Sequence, residues 1–358
     1  MLIARSPVRI SFGGGGTDLP AYYEHFGGAV LSTAIDKYFY ATLRKREDGH
    51  VQVISSDLRR LENWRDVNNL EMKGTDMEIP LAVLKELRRE ISADLFLASE
   101  IPPGTGLGSS ASVCVTVLKV ISEYLRLGLS RYEIAERSFA IAHKTLGNPV
   151  GKQDEYAAAF GGLNYIEFHR EGTVSVEPIS LYPEVLRELQ ASLMLFFTGA
   201  SHNSWEILKD QEKSTKQPSS MALEALHEIR ELAVSMRQTL DKGELHRFGE
   251  LLDAGWQAKK RVSKKISNNA IDEIYALARE NGAVGGKITG AGGGGFLLLY
   301  CPEKDQEKVR AAFAAKSLRE MSFGFDFEGS HVLVNDPFLD SDAKAGVRWQ
   351  FIPYIPCE

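Results

Sequence analysis

Between Ile101 and Ser112 the chain reads Ile-Pro-Pro-Gly-Thr-Gly-Leu-Gly-Ser-Ser-Ala-Ser, and a long helical pattern starts inside it. Glycine at 104, 106 and 108 lets the backbone adopt positive φ and come close to a ligand with no side chain between. From Ser109 to Leu127, the residues Val113, Val117, Val120, Ile121 and Tyr124 recur at helical spacing, and Gly128 supplies the stop. A glycine-rich loop that feeds a helix points free N–H groups and the positive end of the helix dipole at one spot, which suits phosphate. Ser109 and Ser110 add hydroxyls that can reach a phosphate oxygen or Mg2+. An ordinary capped helix needs one serine and no Gly-Thr-Gly-Leu-Gly ahead of it. The loop is not a dinucleotide fingerprint, because Ser109 stands where the third glycine belongs. It is not a Walker A loop either, since Gly151-Lys152 and Gly286-Lys287 are followed by Gln and Ile.

Two further clusters hold many of the 32 glycines, Gly13–Gly16 and Gly282–Gly295. In Phe12-Gly-Gly-Gly-Gly-Thr-Asp-Leu-Pro20 the acid Asp18 disfavours phosphate and suits sugar hydroxyls, which a carboxylate binds directionally; an Asx-turn before Pro20 is the competing explanation. The run from Gly285 to Phe296 lies between two strand patterns and can also be read as a flexible hairpin. A last segment, Gly147-Asn-Pro-Val-Gly-Lys-Gln-Asp-Glu-Tyr156, puts Lys152 and Asp154 at a helix start, where an acid is often only a dipole partner.

Along the chain the patterns give strands at Ile3–Phe12, Ala29–Ile35, Tyr38–Lys45, Val51–Ser55 and Ala93–Ala98. Helices are expected at Ile79–Ile91, Tyr132–Leu146 and Gln153–Phe160. The texture changes near Ser180–Pro183. Beyond it come strands at Ser192–Phe197, Ala283–Thr289, Phe296–Cys301 and Ser330–Val334, and helices at Ser204–Glu212, Ser219–Asp241, Glu244–Val262, Asn269–Asn281 and Lys304–Ser317. Such mixing in both halves argues for two α+β domains, residues 1–183 and 184–337, and 338–358 reads as an extended tail. With 42 Lys and Arg against 48 Asp and Glu, the chain lacks the basic excess of a nucleic-acid binder. No apolar run approaches the roughly 20 residues of a membrane span. Arg5 and Arg9 interrupt the first apolar stretch, so no signal-peptide core is expected. Cys114, Cys301 and Cys357 lie far apart, with neither a disulfide framework nor a zinc spacing, which favours a reducing cytoplasm.

Together these segments resemble the kinase superfamily of galactokinase, homoserine kinase, mevalonate kinase and phosphomevalonate kinase. The three superfamily motifs occur in order between Arg5 and about Val334. Within it, Pro-x-Arg-Ile-Ser-Phe-Gly-Gly-Gly-Gly-Thr-Asp-Leu-Pro, Ile35-Asp-Lys-Tyr38, Gly-Lys-Gln-Asp and Lys-x-x-Gly-Ala-Gly-Gly-Gly-Gly-Phe are most similar to D-glycero-D-manno-heptose 7-phosphate kinases. The resemblance implies an N-terminal domain like that of ribosomal protein S5 and a ferredoxin-like C-terminal domain, with ATP and substrate between them. It implies that Pro103, Gly104, Thr105, Gly106, Leu107, Gly108, Ser109 and Ser110 bind ATP, with Ser110 on Mg2+. Asp154 matches the catalytic aspartate, Arg9 its basic partner, and Lys152 is a second cation beside it. Gly15, Gly16, Thr17, Asp18, His202, Gly290, Gly292, Gly293 and Gly294 match the acceptor side. Two departures stand out: Ala142 where several relatives carry a magnesium-binding glutamate, and His202 where heptose-phosphate kinases are expected to carry an arginine.

The expected activity is an ATP-dependent sugar kinase acting on O-1 of D-glycero-D-manno-heptose 7-phosphate, in the cytoplasm, with a homodimer as the candidate assembly. The alternatives are a kinase for another sugar or small alcohol, galactokinase-like or mevalonate kinase-like, and a catalytically silent sugar-binding relative.

Overall fold

The structure is a computed structural model that describes residues 1–65, 77–87, 89, 91–199, 204–215 and 220–336. Its plan is set by β1 (Leu2–Gly13), where burial alternates as far as Arg5 and then covers both faces from Ser6 onward. A strand buried on both faces needs a layer on each side. After α1 (Pro20–Phe26), β2 (Gly28–Lys45) runs antiparallel along the length of β1. Two strands are expected here from the sequence, and the structure has one of 18 residues. The register steps from Pro7↔Tyr38 to Val8↔Ile35, so Asp36 and Lys37 are absorbed as a bulge rather than a turn.

The first half continues through β3 (Val51–Ser55), β4 (Arg60–Trp64), α2 (Glu78–Glu86), β5 (Ala93–Ser99), α3 (Ser109–Tyr124) and α4 (Arg131–Ala140). A π-helical turn, Ile141–Thr145, interrupts the single helix expected over 132–146. Then come α5 (Gln153–Phe160), β6 (Leu163–Phe168) and β7 (Val174–Pro178), the last two being strands the sequence reading did not place. The sheet runs in the order β1-β2-β5-β3-β4, and β6 joins β2 and carries β7.

The second half holds α6 (Pro183–Ala191), β8 (Leu193–Phe197), α7 (Ser204–Thr215), α8 (Met221–Asp241), α9 (Leu245–Val262), α10 (Asn269–Glu280), β9 (Gly285–Ile288), β10 (Phe296–Tyr300), α11 (Glu303–Ala314), β11 (Arg319–Glu320) and β12 (His331–Asn335). Four of these strands form an antiparallel sheet, β11-β8-β10-β9, covered by helices as a ferredoxin-like domain requires. The architecture is α+β with two sheets, as expected. The last strand does not stay with the second half: β12 crosses back to pair with β1. The tail, 338–358, lies outside the described residues.

One apolar core joins the halves. Val8, Ile10 and Phe12 of β1 pack in the same cluster as Leu195, Met236, Phe248 and Leu298. Phe12 meets Phe248 edge to face, with 5.3 Å between ring centres. Burying side chains of this size stabilises the junction by about 1.5–3 kcal/mol each, which fixes the two walls of the cleft relative to one another. Among the described residues no helix is long and apolar enough to cross a membrane.

Candidate active site

A cavity of about 330 Å³ lies where the two halves meet. One wall is apolar, from Ile79 of α2, Cys114 of α3, and Ile141 and Leu146 at the π turn. The other is polar, from Arg9 and Ser11 of β1, Asp18, Lys259 of α9 and Lys287 of β9.

The floor is the glycine loop. Gly104, Gly106 and Gly108 all have positive φ (73°, 82° and 76°), and Gly108 is the left-handed N-cap of α3 with no side-chain cap. The first intrahelical bond of α3 is made by the Ser112 N–H to the Gly108 carbonyl. The N–H groups of Ser109, Ser110 and Ala111, which precede that bond, are therefore left to the cavity that these residues line. The loop is clamped from the second half: a Cβ on Gly106 would lie 2.4 Å from the Thr289 carbonyl oxygen, and one on Gly290 would lie 2.6 Å from the Gly106 Cα.

Above the floor, Arg9 grips Asp154. Its Nε and Nη2 donate to Asp154 Oδ1 at 2.8 and 2.6 Å, and its Nη1 donates to the Gly106 carbonyl at 2.7 Å. The Arg9 side chain is 4 % exposed and that of Asp154 28 %, so the carboxylate is the more open of the two to the cavity that both line. Its Oδ2 faces Gly108, where a Cβ would stand 3.2 Å away. One guanidinium thus ties the carboxylate to the glycine loop.

Asp18 is buried beside this pair. Its Oδ1 accepts from the Gly16 N–H (2.8 Å) and from Gln153 Nε2 (3.1 Å), and its Oδ2 accepts from the Gln153 N–H (3.3 Å). Burial, then the neighbouring Asp154, pushes its pKa up. Gly15 and Gly16 line the cavity with it.

Residues 78–162 match the model of the GHMP kinases N terminal domain and residues 236–318 that of the GHMP kinases C terminal domain. A D-glycero-alpha-D-manno-heptose 7-phosphate kinase of Campylobacter jejuni is 32% identical over 332 residues, 91% of this chain and 96% of that protein. The chain belongs to the GHMP kinases. A crystal structure described as a D-glycero-D-manno-heptose 1-phosphate kinase from Bacteroides thetaiotaomicron superposes with a TM-score of 0.79 at 28% identity. It covers 94% of this chain and 100% of that one. The galactokinase of Lactococcus lactis, solved with galactose, shares the fold (TM-score 0.70, 20% identity, 92% and 94% covered).

Several residues singled out in the sequence of this kinase stand elsewhere. Lys152 turns away from Asp154: its ammonium donates to both oxygens of Glu136 (2.7 and 3.0 Å) and to the Gly172 carbonyl (2.7 Å). Thr17 is fully buried and bonds the Gly14 and Ala29 carbonyls, so it shapes the loop without facing the acceptor. Thr105 and Leu107 point into the protein, Thr105 onto the Pro102 carbonyl and Leu107 into the shared core, so their side chains do not face the cavity. Gly292 and Gly293 lean on the connection between α9 and α10, where the Gly293 N–H donates to Ile266 at 2.7 Å. In this stretch Gly290 and Ala291, rather than Gly292, Gly293 and Gly294, line the cavity. His202 lies outside the described residues.

The kinase also carries site residues that the sequence reading passed over. Glu155 lines the cavity with Ala142 and is buried. Among the described residues its Oε2 has no hydrogen-bond partner, and burial followed by Asp154 pushes its pKa well above the usual value. Lys259 and Lys287 arrive from the second half; Lys287 opens the Lys-x-x-Gly-Ala-Gly-Gly-Gly-Gly-Phe motif, in which only the glycines had been given a role. A lysine in the last turn of a helix normally signals only a dipole partner, so Lys259 gave no sign of its place.

Proposed function

We propose that this GHMP kinase transfers the γ-phosphoryl group of ATP to O-1 of D-glycero-D-manno-heptose 7-phosphate, giving the 1,7-bisphosphate. The observation that carries this reading is the Arg9-bound Asp154 carboxylate, standing over the N-terminus of α3. The Campylobacter and Bacteroides relatives support the acceptor class, since both are named for a heptose phosphate.

In this reading the N–H groups at the start of α3 and the Gly104–Gly108 backbone hold the triphosphate by dipole and hydrogen bond. The apolar wall of Ile79, Cys114, Ile141 and Leu146 takes the base. Asp18 receives sugar hydroxyls on the lone pairs its three donors leave open. Asp154 accepts the proton of the attacking hydroxyl as the new O–P bond forms and the bond to the ADP oxygen breaks. The transition state of such a transfer is loose, so positioning and charge stabilisation supply most of the rate.

The donor set fits Mg2+, which prefers few carboxylates and keeps phosphate oxygens and water as its other ligands. Among the described residues no cluster of three or more acidic, His or Cys side chains could hold a metal on its own. Ser110 on the rim and the unpartnered Oε2 of Glu155 are the protein oxygens that would complete its shell, while Ala142 offers none. When bound, the ion neutralises charge on the β- and γ-phosphates.

ADP release measured with heptose 7-phosphate, heptose 1-phosphate, galactose and mevalonate tests the proposal. The highest kcat/KM is expected for heptose 7-phosphate. A higher value for galactose or mevalonate would overturn it.

A further inference from the structure

The polar wall holds more positive charge than the chemistry at Asp154 uses. Arg9 is occupied by Asp154 and the loop carbonyl. Lys259 and Lys287, 7 % and 8 % exposed, also line the cavity. Among the described residues the acceptors of their ammonium groups are neutral: the Gly15 carbonyl (3.0 Å) and Gln211 Oε1 (3.5 Å) for Lys259, the Ser11 (2.8 Å) and Phe12 (3.4 Å) carbonyls for Lys287. An ammonium has three N–H groups, so each retains one beyond these bonds. Two more polar groups stand unpartnered beside them, the Ser11 hydroxyl on the cavity wall and the Gln211 amide nitrogen. Buried donors and cations without an anionic acceptor are costly unless a ligand supplies one.

The place of Lys259 says which part of the ligand that is. The peptide unit between Gly15 and Gly16 is held from both sides, its carbonyl by Lys259 and its N–H by Asp18. A sugar whose hydroxyls rest on Asp18 therefore lies next to the Lys259 ammonium.

We propose that Lys259, backed by Lys287 and the Ser11 hydroxyl, binds the phosphate monoester that the acceptor already carries, and so sets the preference for a phosphorylated over a free sugar. This rests on the acceptor class proposed above. The lowered pKa values fit a site waiting for an anion: burial first, then Lys259 and Arg9, bring Lys287 down to about 7, and burial together with Arg9 brings Lys259 to about 8, against the opposing pull of Asp18. A bound dianion would return both to the charged form.

The readout is the ratio of kcat/KM for heptose 7-phosphate to that for unphosphorylated heptose, in wild type, Lys259→Met and Lys259→Arg. Lys259→Met should lower the ratio at least tenfold through KM for the phosphorylated sugar, and Lys259→Arg should restore most of it. A purely structural lysine would weaken both acceptors alike, and an unchanged ratio would overturn the proposal. As a separate probe, with a non-hydrolysable ATP analogue filling the nucleotide site, inorganic phosphate should raise the Tm of wild type and not that of Lys259→Met. If Lys259→Met fails to fold, Lys287→Met carries the same two comparisons. Should wild type not use heptose 7-phosphate at all, the proposed acceptor falls, and the phosphate-dependent Tm shift alone then decides for or against the anion site.

Discussion

A single guanidinium makes three of the bonds that define the corner around Asp154, and that arrangement separates Asp154 from its neighbours. Asp154→Asn preserves shape and a hydrogen-bonding oxygen while removing the proton acceptor. It should lower kcat by a factor on the order of 10² to 10⁴, the usual worth of a general base, and leave the ATP dissociation constant within a few-fold of wild type. Single-turnover kinetics with a fluorescent-nucleotide titration check both halves, and near-normal turnover would reduce Asp154 to a helix-end partner. Arg9, Asp154 and Asp18 were singled out by the resemblance to the kinase superfamily, whereas the residues alone left a dipole partner or an Asx-turn as the competing reading of the two acids. Lys259 was not, because it approaches the cavity from a helix 244 positions away from Gly15, and linear order carries no trace of that approach.

At the scale of elements, α5 shows how adjacency in sequence misleads. Lys152 and Asp154 are two residues apart, yet successive side chains at a helix start point about 100° from one another. Asp154 consequently faces Arg9, while Lys152 reaches back to Glu136 on α4, where Tyr156 also donates at 2.5 Å. Lys152 is therefore a tie between α4 and α5. Lys152→Met should cost about 1–3 kcal/mol of stability, below the 3–5 typical of a fully buried pair, because the Glu136 side chain is 44 % exposed. Urea denaturation measures that loss, and KM for ATP and sugar should stay within two-fold; a selective fall in kcat with stability unchanged would contradict the assignment. The strands show the same limit. Ala29–Ile35 and Tyr38–Lys45 read as two because Asp36-Lys37 breaks the apolar run, whereas the bulge opposite Pro7 and Val8 keeps one continuous strand. The helix expected at about Gln153–Phe160 was legible in the sequence, and the structure places it at Gln153–Phe160.

For the whole molecule, the decisive fact is that β1 packs in the core that joins the halves and β12 returns to it. Proteins with two domains commonly unfold in two steps. Here a single transition is expected, with far-UV and near-UV signals coincident in urea, and Phe12→Ala should destabilise that transition as a unit by about 3–5 kcal/mol. Two separated transitions, only one of them shifted by Phe12→Ala, would show that the halves fold independently.

The contact between Gly106 and Gly290 also bears on how such enzymes diverge. The two loops touch backbone to backbone, and Gly295 would likewise drive a Cβ to 2.3 Å from the Thr105 carbonyl. A hybrid assembled from the first half of one relative and the second half of another keeps this close approach of the two glycine loops only where both parents kept these positions bare. Recombination within the lineage is thus constrained at a seam more than 180 residues wide in sequence, and the first half is not a cassette that can be exchanged alone.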